Sequence, residues 1–322
     1  MVDHSEAHRI AETAHMSPSP LTNAMYWGAR GTLRQIYRSW PLSDRGIKSL
    51  AAVERAFTKL PNTLPVRFTP RALGEVPVEV VTPTDADDVI DDCAVLYLHG
   101  GGFLFCGTAT HRRICSRLAV NTGASVYSVR YRQLPDFGAG AGAEDAYAAY
   151  TALRAELPAD VRIVVAGDSA GGFLAAKVCE LSAIDGVRGP DALVGYSPLL
   201  DLEAPTSEGP WTTRDAFQPA ATITRAQRLW DRGPTALRGS AVLQTVDPAC
   251  FPPTFLTASV DEHLDSAILE LTESISAAGG EVETHRWLRA VHAFPVLDAL
   301  TRESREASEL TNAFLRRVLG GR

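Results

Sequence analysis

Gly167-Asp168-Ser169-Ala170-Gly171-Gly172 lies between two apolar runs of different character. Before it stands Val161-Arg162-Ile163-Val164-Val165-Ala166, rich in β-branched residues. After it stands Phe173-Leu174-Ala175-Ala176-Lys177-Val178, with the composition of a buried helix. A strand that turns sharply into a helix, with small residues two positions either side of a serine, is a nucleophile elbow. Glycine at 167 and 171 removes side chains that would strike neighbouring backbone and tolerates a strained turn. The pattern predicts Ser169 at the carboxyl end of a sheet with a helix N-terminus behind it, as a candidate nucleophile.

Outward from this stretch the chain alternates. Cys93-Ala94-Val95-Leu96-Tyr97-Leu98 is a continuous apolar run, as expected of a strand buried on both faces. A helix is predicted over 111–121, a strand over 124–129 and an alanine-rich helix over 142–157. Strands at 192–196, 254–258 and 282–287 and helices at about 264–278 and 295–318 continue the series. Strand and helix in alternation mean a mostly parallel central sheet flanked by helices, an α/β fold. A strand pair, 66–68 and 76–81, precedes it. Residues 21–60 carry apolar residues at helical spacing, broken near Trp40-Pro41. Residues 1 to about 20 read as a loose polar arm holding His4, His8 and His15. Between Asp201 and Asp247 no strand is evident, only aromatic-bearing helical material, which fits an insertion.

His99-Gly100-Gly101-Gly102-Phe103 directly follows the buried strand at 93–98. Acyl transfer places negative charge on a carbonyl oxygen, and backbone N–H groups aimed at it stabilise that charge. Gly100 and Gly101 are assigned as donors, with the N–H of Ala170 as the third. The loop lacks the Gly-Lys-Ser/Thr ending of a phosphate loop, which argues against nucleotide binding. A serine also needs a base. His4, His8 and His15 fall in the arm, His99 in the glycine loop and His111 at the opening of an early helix. His263 begins a later helix and His285 is mid-strand, which leaves His292, in a loop between the last strand and last helix. Asp261, at the end of the 254–260 segment, is the favoured carboxylate to orient it, with Asp201 as the alternative. His292 is then expected to titrate near its ordinary value of about 6.5, with activity falling as it protonates.

With 322 residues, 45% of them hydrophobic, the chain can bury a sizeable core. The formal charge of −7 argues against a nucleic-acid partner. No apolar run is long enough to span a bilayer, and the polar amino terminus lacks a signal pattern, so a cytoplasmic protein is expected. The five cysteines are scattered and odd in number, without metal-like spacing. No metal or cofactor is expected. Cys106, near the glycine loop, suggests sensitivity to thiol reagents.

These motifs resemble those of the hormone-sensitive-lipase-like (bacterial family IV) α/β-hydrolases. His99-Gly100-Gly101-Gly102-Phe103 matches that family's oxyanion signature, and 167–172 its elbow in full. Looser matches are 131–136 with 144–147, Ser197-Pro198 through Asp201, and Asp261 through Asp265. The resemblance covers about residues 70–315 and implies an α/β-hydrolase core (61–202 and 248–322). Over it would lie a helical cap built from 1–60 and a 203–247 insertion. It implies a carboxylesterase or lipase acting on a small-molecule ester with an apolar acyl group, and leaves homodimer formation open. Phe103, Trp27, Trp211 and Phe217 are candidates for an acyl pocket under that cap, with ordinary core as the alternative reading of each. An amidase, peptidase or deacetylase with the same triad, or a non-catalytic binding protein on the same fold, are the competing functions. Two departures stand out. The family's Asp-Tyr-Arg-Leu-Ala-Pro-Glu is replaced by residues 130–136, followed by the small, flexible-looking 138–142. Ala293 stands where a glycine commonly follows the histidine.

Overall fold

The computed structural model describes residues 11–85, 90, 92–204 and 211–320. The first half runs β1 (Ala11–His15), α1 (Pro20–Gly31), α2 (Leu33–Ser39), α3 (Asp44–Phe57), β2 (Val66–Leu73), β3 (Val76–Pro83), β4 (Cys93–Leu98), α4 (Arg112–Thr122), β5 (Ser125–Val129) and α5 (Ala139–Glu156). The second half runs β6 (Arg162–Asp168), α6 (Ala170–Ile184), β7 (Ala192–Tyr196), α7 (Trp211–Arg214), α8 (Ala220–Gln227), β8 (Thr254–Ser259), α9 (Asp265–Ala277), β9 (Val282–Trp287) and α10 (Arg302–Leu319). The nine strands form one sheet in the order β1-β9-β8-β7-β6-β4-β5-β3-β2. β2–β3 and β3–β5 pair antiparallel; every other pair is parallel.

The apolar runs of the central strands follow from burial on both faces. In β4, Leu96 and Leu98 share a core cluster with Val165, Phe173 and Leu174, under α5 and α6. Val95 and Tyr97 point the other way, into a cluster with Val164, Ala166, Phe255 and Phe314, under α4 and α10. Strand alternation thus feeds two cores, and no face is left for polar residues.

Three segments differ from the sequence expectation. The arm is not loose from Ala11 onward: residues 11–15 pair in parallel with 283–287 as the outermost strand. His15 stacks on Trp287 with ring centroids 4.3 Å apart, and its Nε2 lies 3.1 Å from His285 Nδ1. His4 and His8 lie outside the described residues. The 138–142 stretch is tightly packed rather than a flexible linker. It opens α5 a few residues earlier than expected, and a Cβ on Gly138 or Gly140 would run into the backbone of Trp230 or Thr235. Finally, the expected 295–318 helix is two pieces. A 3-10 segment, Phe294–Leu300, is interrupted at Asp298, and α10 restarts under a Thr301–Ser304 capping box. Arg117 holds Asp298 at 2.7 Å across that break. No helix among the described residues is long and apolar enough to cross a membrane.

Candidate active site

Ser169 sits between the end of β6 and the first turn of α6, at φ 51° and ψ −122°. A non-glycine residue in that conformation stores backbone strain of roughly 1–3 kcal/mol, which persists only where the surroundings impose it. Here they do. The Ser169 N–H donates to Tyr196 O at 3.0 Å, and the Ser169 carbonyl accepts from Leu199 N–H at 2.9 Å. A Cβ at Gly171 would run into the Leu98 carbonyl oxygen and one at Gly167 into that of Gly171. The serine lines a cavity of about 860 Å³ bounded by α1–α3, α8, the glycine loop and the loop carrying His292.

His292 lines the same cavity. Its Nδ1 meets Glu262 Oε2 at 2.7 Å, and both side chains are almost wholly buried. The residue expected in that place, Asp261, faces elsewhere: its Oδ2 accepts from the Arg289 N–H at 3.0 Å and so fastens the start of the histidine's own loop. Asp201, the alternative, accepts from Glu203 N–H and from Gln244 Nε2. The turn after β8 explains the exchange. The Glu262 N–H bonds back to Ser259 O, and Glu262 Oε1 accepts from the Ser259 N–H at 2.8 Å, which aims the longer glutamate side chain toward His292. Ala293 adopts φ 51° and ψ 35°, the left-handed region that explains a glycine preference at this position, and donates to Ser197 Oγ. His292 Nε2 has no hydrogen-bond partner among the described residues.

Burial alone would depress the His292 imidazole, but the hydrogen bond and negative charge of Glu262 outweigh it and hold its pKa above 6.5. If His292 acts as base, protonation removes it, so the acid limb of kcat/KM has its midpoint above 6.5 rather than at the ordinary value. A pH–rate profile on a neutral ester reads this directly. A midpoint at or below 6.5 would contradict it.

The glycine loop is held from beneath. Asp168, buried beside Ser169, accepts from Tyr97 Oη at 2.8 Å and from the Gly100 N–H at 3.0 Å. Its carboxylate also lies 3.2 Å from Nε2 of the buried His111. The Gly100 N–H, expected to serve an oxyanion, is therefore occupied. Gly101 and Gly102, at φ 111° and 64°, line the cavity instead. Ala170 is the first residue of α6, where a backbone N–H has no intrahelical acceptor. His99 shapes the loop: Nδ1 bonds Gly100 O at 2.8 Å and the ring stacks on Tyr131. Burial would depress His111 and raise Asp168. The opposite charge of each partner wins, so the imidazole lies above 6.5 and the carboxyl below 3.8, and the two form an ion pair.

The four expected pocket aromatics separate. Phe217 lines the cavity and lies nearly parallel to the His292 ring, centroids 6.0 Å apart. Phe103 is fully buried instead, packed edge-on against Phe173 and Trp230, because a loop of three glycines needs an apolar anchor. Trp27 is 56% exposed and away from the cavity lining, with Arg30 and Arg289 over its ring. The Trp211 side chain lies outside the described residues. Trp230, by contrast, reaches the cavity and donates from Nε1 to Gly102 O at 3.1 Å. Cys106 lines the cavity, and burial pushes its thiol up to about 12, which disfavours the thiolate that alkylation needs. No group of three or more His, Cys, Asp or Glu that could hold a metal occurs among the described residues.

Sheet order, elbow and histidine loop define an α/β hydrolase. A family profile described as alpha/beta hydrolase fold matches residues 95–296. The chain is 33% identical over 230 residues to carboxylesterase/phospholipase LipF of Mycobacterium tuberculosis, covering 69% of this chain and 61% of that protein. It thus spans under two thirds of LipF. It is 29% identical over 311 residues to esterase LipI of the same organism, covering 86% and 90% of the two chains. Among solved structures, a mutant of the esterase E40 superposes with a TM-score of 0.80 at 25% identity, over 95% of this chain and 100% of that one. An esterase from the bacterial hormone-sensitive lipase family gives 0.78 at 25%, with the same coverage. The chain belongs to the α/β-hydrolase family, in its hormone-sensitive-lipase-like branch.

Proposed function

We propose that the chain is a serine carboxylic-ester hydrolase, with Ser169 as nucleophile, His292 as general base and acid, and Glu262 as the orienting carboxylate. One observation carries this reading. His292 is fixed through Nδ1 on a buried glutamate, its Nε2 has no partner among the described residues, and it shares a cavity wall with a strained serine. Ser169 Oγ attacks the ester carbonyl as Nε2 takes its proton, and Glu262 stabilises the imidazolium. The oxyanion is received by the N–H groups of Gly101, Gly102 and Ala170, while Gly100 holds the loop to Asp168. The imidazolium protonates the leaving alcohol, and the neutral base then activates water to release the acid. The esterase names of LipF and LipI support the ester as substrate.

A fluorophosphonate should label the protein at Ser169, and Ser169→Ala should abolish both labelling and hydrolysis of a chromogenic ester. Folded protein that does not label would instead favour a binding protein on this fold. Matched ester and amide substrates separate the esterase from an amidase, peptidase or deacetylase, with the ester expected to be the faster by far.

A further inference from the structure

Large apolar side chains left in solvent are concentrated at one place. Among the described residues eleven are exposed, and five of these, Leu33, Val53, Phe57, Leu60 and Leu300, line the cavity that holds Ser169. Leu60 and Leu300 are more than half exposed. The cavity therefore does not close over a small ester; it continues outward as an apolar apron formed by α2, α3, the residues after α3 and the end of the 3-10 segment before α10. A contiguous apolar surface rimmed by polar residues marks a place where a ligand, rather than water, covers it.

One wall of that apron is charged. α4 carries three arginines. Arg112 forks onto Glu79 and Arg117 onto Asp298. Arg113, between them, is exposed, lines the cavity and makes no hydrogen bond or ion pair among the described residues. The helix that carries it is fixed on two sides. Asn62, two residues beyond Leu60, donates to Ser116 Oγ at 2.8 Å one turn along α4, and Arg117 holds Asp298 two residues before Leu300. Among the described residues the rim is thus an apolar surface with a single unpaired guanidinium set into it. The cavity's other charged groups offer an anion nothing equivalent: Asp168 is paired with His111, and His292 with Glu262.

We infer that the substrate is an anionic amphiphile: an ester with one long hydrocarbon arm, laid along Val53, Phe57, Leu60 and Leu300, bearing a carboxylate or phosphate that Arg113 receives. This rests on the esterase reading of Ser169. Guanidinium suits either oxyacid because its fork matches their paired oxygens, and the surrounding apolar side chains strengthen the contact over one in open water.

The test uses chromogenic esters in matched pairs, one member ending in a carboxylate or phosphate and the other in its neutral counterpart, a primary carboxamide or a dimethyl phosphate triester. The charge is placed on the acyl arm in one series and on the alcohol arm in another, over a range of chain lengths. The protein should favour the anionic member at long chain length. Arg113→Gln should lower the ratio of kcat/KM for anionic over neutral ester by roughly 10-fold, acting through KM. Arg113→Lys should restore part of that ratio, and added salt should erode it. Better use of phosphate than carboxylate, or the reverse, identifies the head group. No anionic preference in the native protein, or an equal loss on both members in Arg113→Gln, overturns the inference. Binding of a long-chain anionic amphiphile to Ser169→Ala, followed by fluorescence with and without Arg113→Gln, reads the same site without turnover. If no ester is hydrolysed yet Arg113-dependent binding persists, the esterase reading fails and the anion site stands.

Discussion

If Glu262 orients His292, Glu262→Gln should lower kcat by about 10⁴-fold while leaving the fold intact, as amide-for-carboxylate exchange does at the orienting acid of a serine triad. The amide can still meet His292, but it can donate to Nδ1, which stabilises the wrong tautomer, and it brings no negative charge to balance the imidazolium. The same substitution should move the titration of His292 downward, because the groups that raise it are chiefly the hydrogen bond and charge of Glu262, and burial then acts unopposed. Asp261→Asn is the necessary companion. Its remaining carbonyl oxygen can still accept from the Arg289 N–H, so kcat should stay close to the native value. The two variants assayed side by side with the pH profile decide the assignment, and equal losses would falsify it.

Asp168→Ala should cost about 3–5 kcal/mol of stability, the usual consequence of removing one member of a buried ion pair. It strips the acceptor from Tyr97 and Gly100 and leaves His111 facing an uncompensated, dry site. The sign of the pH dependence follows from the two shifts. His111 lies above 6.5 in the fold, so its contribution is complete below 6.5 and is lost as pH rises through the folded value. Asp168 lies below 3.8, so its contribution is present above 3.8 and is lost as pH falls through its lower folded value. Between about 3.8 and 6.5 both are in force, and the deficit of the alanine variant, read by chemical denaturation, should be largest there and shrink toward alkaline pH. A deficit that grows with pH would mean that His111 is neutral in the native protein.

Much of the candidate site's layout was legible because a sharp strand-to-helix turn and a glycine loop after a buried strand need particular residue types. Two glycines around a serine after a β-branched run leave little choice but a sharp strand-to-helix turn, and only one of eight histidines falls in the final strand-to-helix loop. The carboxylate that meets His292 was less legible, since Asp261 and Glu262 are adjacent in one turn and their directions depend on the Ser259 hydrogen bonds. Gly100 and Gly101 were likewise indistinguishable until the buried Asp168 took one N–H. His111 was passed over because fifty-seven residues separate it from Asp168, and that pairing exists only once β4 and β6 are neighbours. The small residues at 138–142 read as slack because the strand of chain packed against them, 230–237, is remote in sequence.

The placement of the first strand bears on how a substrate gets in. β1 and β2 are the two outermost strands of the sheet, on opposite sides, and α1–α3 are the chain between them. At about 4.8 Å per strand the ends of this segment lie ~38 Å apart as measured along the sheet. A flap tethered at one end can swing clear; a strap sewn down at both margins can only bow. The segment is thus held at both margins of the sheet and also in its middle, where Arg34 donates to the Asp215 and Gln218 carbonyls, and the cavity meets solvent at the apolar rim.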